Sequence, residues 1–165
     1  ASSTLVVRKE GDWLTMQFPA YNVKPVEVTA AIAEAIGVKP REAWLGRDLI
    51  CVLEHEDDVE NANPDLGKVK ALEGLCFHLT APGQKYDCVS RSFAPKLNMG
   101  EDPVCGSGHC QIVPIWNKKT GKTSFEAYQA SRRGGRLRCR LVGEKIFLSG
   151  QAVLFSEADL LIPQA

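Results

Sequence analysis

His109-Cys110-Gln111-Ile112-Val113-Pro114-Ile115-Trp116 is the stretch on which the fold turns. Cys110, Ile112, Val113, Ile115 and Trp116 do not keep to one side of a helical wheel; they go nearly all round it. A helix apolar on every side is a buried helix. Pro114 lies within it, where a missing N–H and a ring clash should kink the backbone, and Gly121 ends it. Such a helix cannot lie on a surface, so the strands of the chain must wrap it.

Those strands are legible on either side. Residues 4–8 are β-branched, Gly11-Asp12 turns, and residues 13–18 alternate apolar with polar, which makes a hairpin. Val28, Ala31, Ile32, Ala35 and Ile36 form a helical stripe, stopped by Gly37 with Pro40 beyond. Residues 47–54 read as a strand. Glu54-His55-Glu56-Asp57-Asp58 starts a short acidic helix and Asn63-Pro64-Asp65 another. Residues 75–80 and 86–93 are strands about a turn at 81–84. After the central helix, residues 125–131, 137–141 and 146–155 alternate around turns at Gly134-Gly135 and Gly143-Glu144, and the last residues form a loose tail. The fold class is α+β, a single domain over residues 1–165 with a curved antiparallel sheet around a central apolar helix.

A chain of 165 residues buries a sizeable core without staples. Lys and Arg total 20, as do Asp and Glu, so the net charge is zero, which argues against a nucleic-acid binder. No stretch approaches the roughly 20 apolar residues of a membrane span, and no basic-then-apolar leader opens the chain. Cys51, Cys76, Cys88 and Cys139 sit in apolar runs as small buried hydrophobes, and none of the six cysteines forms a CxxC pair. A reducing, cytoplasmic compartment follows. Arg136, Arg138 and Arg140 alternate with Leu137, Cys139 and Leu141. With Arg132 and Arg133 they read as a solvated basic strand face rather than a phosphate patch. His55 and His78 read as structural.

The chemistry lies in Ser90-Arg91-Ser92-Phe93-Ala94-Pro95 and Gly100-Glu101-Asp102-Pro103-Val104-Cys105-Gly106-Ser107-Gly108-His109. This is a loop feeding a glycine-rich turn into a helix N-terminus. Gly106 and Gly108 let the backbone approach a ligand, and the first-turn N–H groups point outward with the positive end of the dipole. Ser107 adds a hydroxyl and Asp102 a carboxylate. The same dipole should lower the pKa of Cys105. The reading is an anion cradle with acid/base groups on its rim, set against a capped turn with nothing bound. His109 either donates to a ligand or is a hydrogen-bonded structural histidine. Cys105, His109 and Cys110 lack a fourth ligand at a recognisable spacing, so no metal is expected.

These motifs resemble the phenazine-biosynthesis PhzF-like family. Tyr128-Gln129-Ala130-Ser131-Arg132-Arg133-Gly134-Gly135 and Leu148-Ser149-Gly150-Gln151-Ala152 are similar to that family's closing hairpins. The resemblance implies the diaminopimelate-epimerase-like fold, in which two similar domains enclose the active site. It also implies cofactor-independent isomerase or epimerase chemistry beside the carboxylate of a small metabolite. Asp102 then matches the family's aspartate near the substrate, and Gly106, Ser107 and Gly108 match its carboxylate cradle, with glycine where the family often has alanine. Cys105 stands where the phenazine enzymes often have threonine and the related epimerases a catalytic cysteine, so it is either an acid/base thiol or a packed side chain. The chain corresponds to the family's C-terminal half alone, without the N-terminal half and its acid/base glutamate. A complete site is then expected to need a separate N-terminal half or a second copy in a homodimer. The alternative is a non-catalytic binding module on the same fold.

Overall fold

The computed structural model of the chain describes residues 6–159. Its strands are β1 (Val7–Glu10), β2 (Trp13–Pro19), β3 (Lys24–Val26), β4 (Glu42–Leu45), β5 (Leu49–Val52), β6 (Phe77–Pro82), β7 (Cys88–Ala94), β8 (Met99–Asp102), β9 (Ser124–Gln129), β10 (Gly135–Val142) and β11 (Lys145–Gly150). Its helices are α1 (Ala30–Ile36), α2 (Glu56–Glu60), α3 (Leu66–Ala71) and α4 (Gly106–Thr120). The strands form one curved sheet in the order β1-β2-β11-β10-β9-β7-β6-β5-β4-β3, with β8 paired to β7.

Strand periodicity explains how this sheet carries two cores. Ile50 and Val52 face α4, whereas Leu49 and Cys51 face α1, α2 and α3. Alternation continues on β6 and β7, where Phe77, Leu79, Val89 and Phe93 join the helical layer and Cys88 joins the α4 side. A strand buried on both faces is apolar throughout, as Leu49-Ile50-Cys51-Val52 is. Farther along the sheet, Phe125, Ala127, Leu137, Cys139, Ile146 and Leu148 close over Ile112, Val113, Ile115 and Trp116 of α4. The buried apolar helix and the α+β class thus stand as the sequence implies.

Pro114 frees the carbonyl of Cys110, which has lost its i+4 donor. That carbonyl accepts instead from the backbone N–H of Tyr21 at 3.1 Å. Helix α4 runs through the proline as one element, and the proline becomes the point where the chain leaving β2 is tied to the central helix.

The sheet departs from the sequence reading at particular places. It is mostly antiparallel, yet β5 pairs β6 and β7 pairs β9 in parallel. The α2–α3 and α4 segments supply the crossovers that such pairs require. Strands β3 and β4 are short, and β3 is an edge strand, which is why it tolerates Pro25. The last strand ends at Gly150 rather than continuing to 155, and residues 151–159 are exposed and without regular structure. Residues 4 and 5 of the expected first strand, and 160–165 of the tail, lie outside the described residues.

Ile112 is fully buried between the strands that wrap α4. We expect Ile112→Ala to destabilise the domain by about 2–5 kcal/mol, read from chemical denaturation.

Candidate active site

Two pieces of local chemistry place the loop before α4. Arg91 forks onto Glu101 through Nε (2.6 Å) and Nη2 (3.1 Å), while Nη1 donates to the carbonyls of Glu60 and Ala62. This fixes β8, whose last residue is Asp102. Gln129 then grips the loop from β9: its Oε1 accepts from the Cys105 N–H at 2.8 Å and its Nε2 donates to the Asp102 carbonyl. Gly135 closes the fit, because a Cβ there would lie 2.1 Å from Val104 Cγ2.

Asp102 is half-buried, and its Oδ1 accepts from the Val104 N–H at 3.0 Å. Its Oδ2 has no partner among the described residues. Cys105 is the N-cap of α4, with its Sγ accepting from the Gly108 N–H. The next backbone donors, on Gly106 and Ser107, have no partner among the described residues and are half-exposed. These open donors are what a helix start offers an anion.

The expected lowering of the Cys105 pKa is overturned. Cys105 is 6% exposed, and burial pushes its thiol up. The Ser107 hydroxyl and the Gly108 N–H offset this in part, and the nearby Asp102 and Asp48 carboxylates add to the rise. The dipole at the helix start is outweighed by loss of water. Cys105 serves the helix as a neutral cap.

His109 points away from the cradle. It is fully buried, with Nδ1 2.7 Å from the Cys105 carbonyl and Nε2 3.3 Å from Ser90 Oγ. Burial lowers its pKa to about 4, so it is a neutral structural histidine at neutral pH. Gly108 is likewise set from below: a Cβ on it would lie 2.7 Å from His78 Cε1. That glycine makes room for a buried ring, and alanine does not fit above it. Among the sequence-predicted residues, Asp102, Gly106 and Ser107 therefore remain at the open surface, while Cys105, Gly108 and His109 form their support.

A set of residues that sequence reasoning missed lies directly beneath. Asp48 is fully buried and receives Arg47 Nε (3.0 Å) and Nη2 (2.6 Å), Gln111 Nε2, and the Cys76 N–H (3.1 Å). His78 Nε2 lies 3.1 Å from the same carboxylate, and its Nδ1 lies 2.9 Å from Ser92 Oγ. Asp48 is held well below the usual carboxylate range: His78 and Arg47 overcome the opposing effect of burial. Arg47 also donates to Ser107 Oγ at 2.9 Å. The available signal was a charged Arg47-Asp48 pair at the mouth of an otherwise apolar strand. Among the described residues no three His, Cys, Asp or Glu side chains converge to hold a metal ion, and no helix is long and apolar enough to cross a membrane.

The loop runs between two grooves. One, of 690 Å³, is bounded by Val104, Gly106, Leu137, Leu148 and the 150–153 segment. The other, of 490 Å³, is bounded by Glu101, Pro103, Ser131 and Arg132, and Arg133 lines both. The remaining basic strand face is occupied: Arg136 and Arg138 share Glu126 and lie over the Trp13 ring, and Arg140 lies over Phe147.

Two predictions follow from these burials. All six cysteines are unpaired and buried, and burial pushes Cys51, Cys88 and Cys110 up to about 12. A thiol reagent at pH 7.5 should therefore find almost none in the native chain and all six after denaturation. His109 titrates at 6.5 when unfolded and at about 4 when folded. Between those values only the unfolded chain binds the proton, so its contribution to stability is complete above pH 6.5 and drains away as pH falls through 4. The loss should total about 3 kcal/mol, measured by denaturation at several pH values, and should be absent in His109→Asn.

Comparison with known proteins gives the family. The family model described as phenazine biosynthesis-like protein matches residues 15–158. Two proteins of Pseudomonas aeruginosa, each described as an uncharacterized isomerase, are similar at 37% and 39% identity. The chain aligns over 96% of its own length and 61% of theirs. A crystal structure of a PhzF-family phenazine biosynthesis protein from Enterococcus faecalis superposes with a TM-score of 0.90 at 40% identity, covering 94% of this chain and 61% of that one. The chain thus spans about three-fifths of the length of the relatives it matches. The matched family model and the matched fold together place the chain in the phenazine biosynthesis-like, or PhzF, family.

Proposed function

We propose that the chain supplies one wall of an isomerase or epimerase site that moves a proton at a carbon beside the carboxylate of a small metabolite, without a cofactor. The observation that carries this reading is the half-exposed Asp102 carboxylate, one oxygen unpartnered, on the same loop as the open Gly106 and Ser107 donors. The amides and the Ser107 hydroxyl receive the substrate carboxylate, and Asp102 relays the proton. The isomerase descriptions of the similar Pseudomonas proteins support the reaction class.

Cys105 supports this arrangement as a protonated cap rather than as a base. The opposite wall comes from sequence corresponding to the rest of the relatives' length, or from a second copy of this chain in a homodimer. Free thiols throughout the chain support a reducing, cytoplasmic setting. The apolar lining of the larger groove, with Met16, Leu137 and Leu148, favours a second reading as a non-catalytic binding module.

Solvent exchange separates the two readings. In deuterium oxide, small carboxylic acids should gain deuterium at the carbon beside the carboxylate when the chain is present. Asp102→Asn should slow that exchange by about 100-fold or more while leaving the melting temperature nearly unchanged. If no acid in a broad panel exchanges, alone or with the complementary portion of a relative, the binding-module reading stands.

A further inference from the structure

Ser107 Oγ sits between two other groups. Arg47 Nη2 donates to it at 2.9 Å, and Cys105 Sγ lies 3.5 Å away. A hydroxyl has two acceptor positions and one donor hydrogen. The guanidinium has no acceptor capacity, so it can only fill one lone pair. Cys105 Sγ lies on another side of the hydroxyl, where either atom can donate. Because Arg47 takes a lone pair, Ser107 keeps its own hydrogen to donate, on the same helix turn as the open Gly106 and Ser107 amides.

Arg47 is itself held with little freedom. Nε and Nη2 are committed to Asp48, and the guanidinium carbon lies 5.5 Å from the centre of the Tyr21 ring. Asp48 in turn is locked by Gln111, the Cys76 N–H and His78. Nη1 has no partner among the described residues, and the side chain is 35% exposed. The charge is therefore presented at a fixed place, with Nη2 reaching the cradle through Ser107.

We infer that Arg47 is the positioning residue of the cradle: it fixes Ser107 as a hydrogen-bond donor and adds a positive charge that selects a carboxylate over a neutral group. This rests on the proposed anion cradle and deepens it, since nothing in the local glycine motif requires an arginine from the β4–β5 turn. The Ser107 hydroxyl and the Arg47 guanidinium then act as one unit, and removing either removes most of what both supply.

The test uses the 15N-labelled chain titrated with sodium acetate, and with acetamide as the neutral counterpart, at pH 7. Acetate should shift the Gly106 and Ser107 amide signals saturably, and acetamide should not. Arg47→Met should weaken acetate at least tenfold, and Arg47→Lys should recover part of the loss. Ser107→Ala should weaken it to a similar extent, and the double variant should be no worse than the weaker single one. Because Arg47→Met leaves Asp48 buried without its cation, Arg47→Met with Asp48→Asn, which keeps the site neutral, is measured beside it and serves in its place if the single variant does not fold. Binding by the Met variants within twofold of wild type, or strictly additive losses, overturns the role of Arg47 while leaving the cradle standing. A wild-type chain with no saturable shift overturns the cradle and this inference with it.

Discussion

The buried Asp48 carboxylate is the interaction on which the rest of the structure depends. It ties together the β4–β5 turn through Arg47, strand β6 through His78 and the Cys76 N–H, and the central helix through Gln111. A charge taken wholly out of water is costly unless its oxygens are filled and an opposite charge lies beside it. Here both oxygens are filled and the cation is supplied by the adjacent residue. Such a group does more to fix geometry than to add stability: any sliding of α4 along the sheet leaves donors and acceptors unmatched. The N-terminal end of α4 is thus fixed relative to the sheet before any ligand arrives.

That constraint explains why the α4-facing side of the sheet changes character along its length. Toward the C-terminal half of the helix it is apolar, with Ile112, Val113, Ile115 and Trp116 among Phe125, Leu137 and Ile146. Toward the N-terminal half it carries His78, Ser90, Ser92, His109, Gln111 and Gln129, all buried. Every buried side-chain nitrogen and oxygen among the described residues has a partner. A buried polar layer in which nothing is left over is rigid. Gln129 and His109, the latter backed by Ser90, hold the Cys105 backbone and leave the outermost donors of the helix start open.

How much of this was legible follows from the same distinction. The wrapped helix was readable because Cys110, Ile112, Val113, Ile115 and Trp116 go nearly all round it, and the strands after it because Phe125 to Leu148 alternate. The motif from Asp102 to Gly108 was readable as chemistry because glycine, serine and a carboxylate before a helix have few other uses. What escaped was set by long-range pairing. Nothing local tells that Arg47 reaches Ser107, 60 positions away, or that His78 lies under Gly108. The parallel joins β5–β6 and β7–β9 escaped for the same reason: a crossover leaves no turn signature between the strands it connects. His109 was ambiguous in sequence because the first helical turn faces both ligand and core, and only the Ser90 contact decides.

Two opposing effects meet at Cys105. A helix start does favour thiolate, and burial does favour thiol. The dipole falls off within one turn and amounts to about 0.3–1 kcal/mol at exposed sites, whereas desolvation acts on the whole charge. With Asp102 and Asp48 adding negative potential nearby, the neutral form prevails. The consequence reaches the chemistry. An anionic sulfur beside open amides would compete with the carboxylate of the proposed substrate for the same donors. A neutral sulfur caps Gly108 and leaves Gly106 and Ser107 free. Asp102 then carries the negative charge on the loop beside the helix start, and Arg47 a positive charge beneath the cradle. In the proposed reaction, separating them on different elements would let one hold a carboxylate while the other exchanges a proton, which a thiolate at the helix start would prevent.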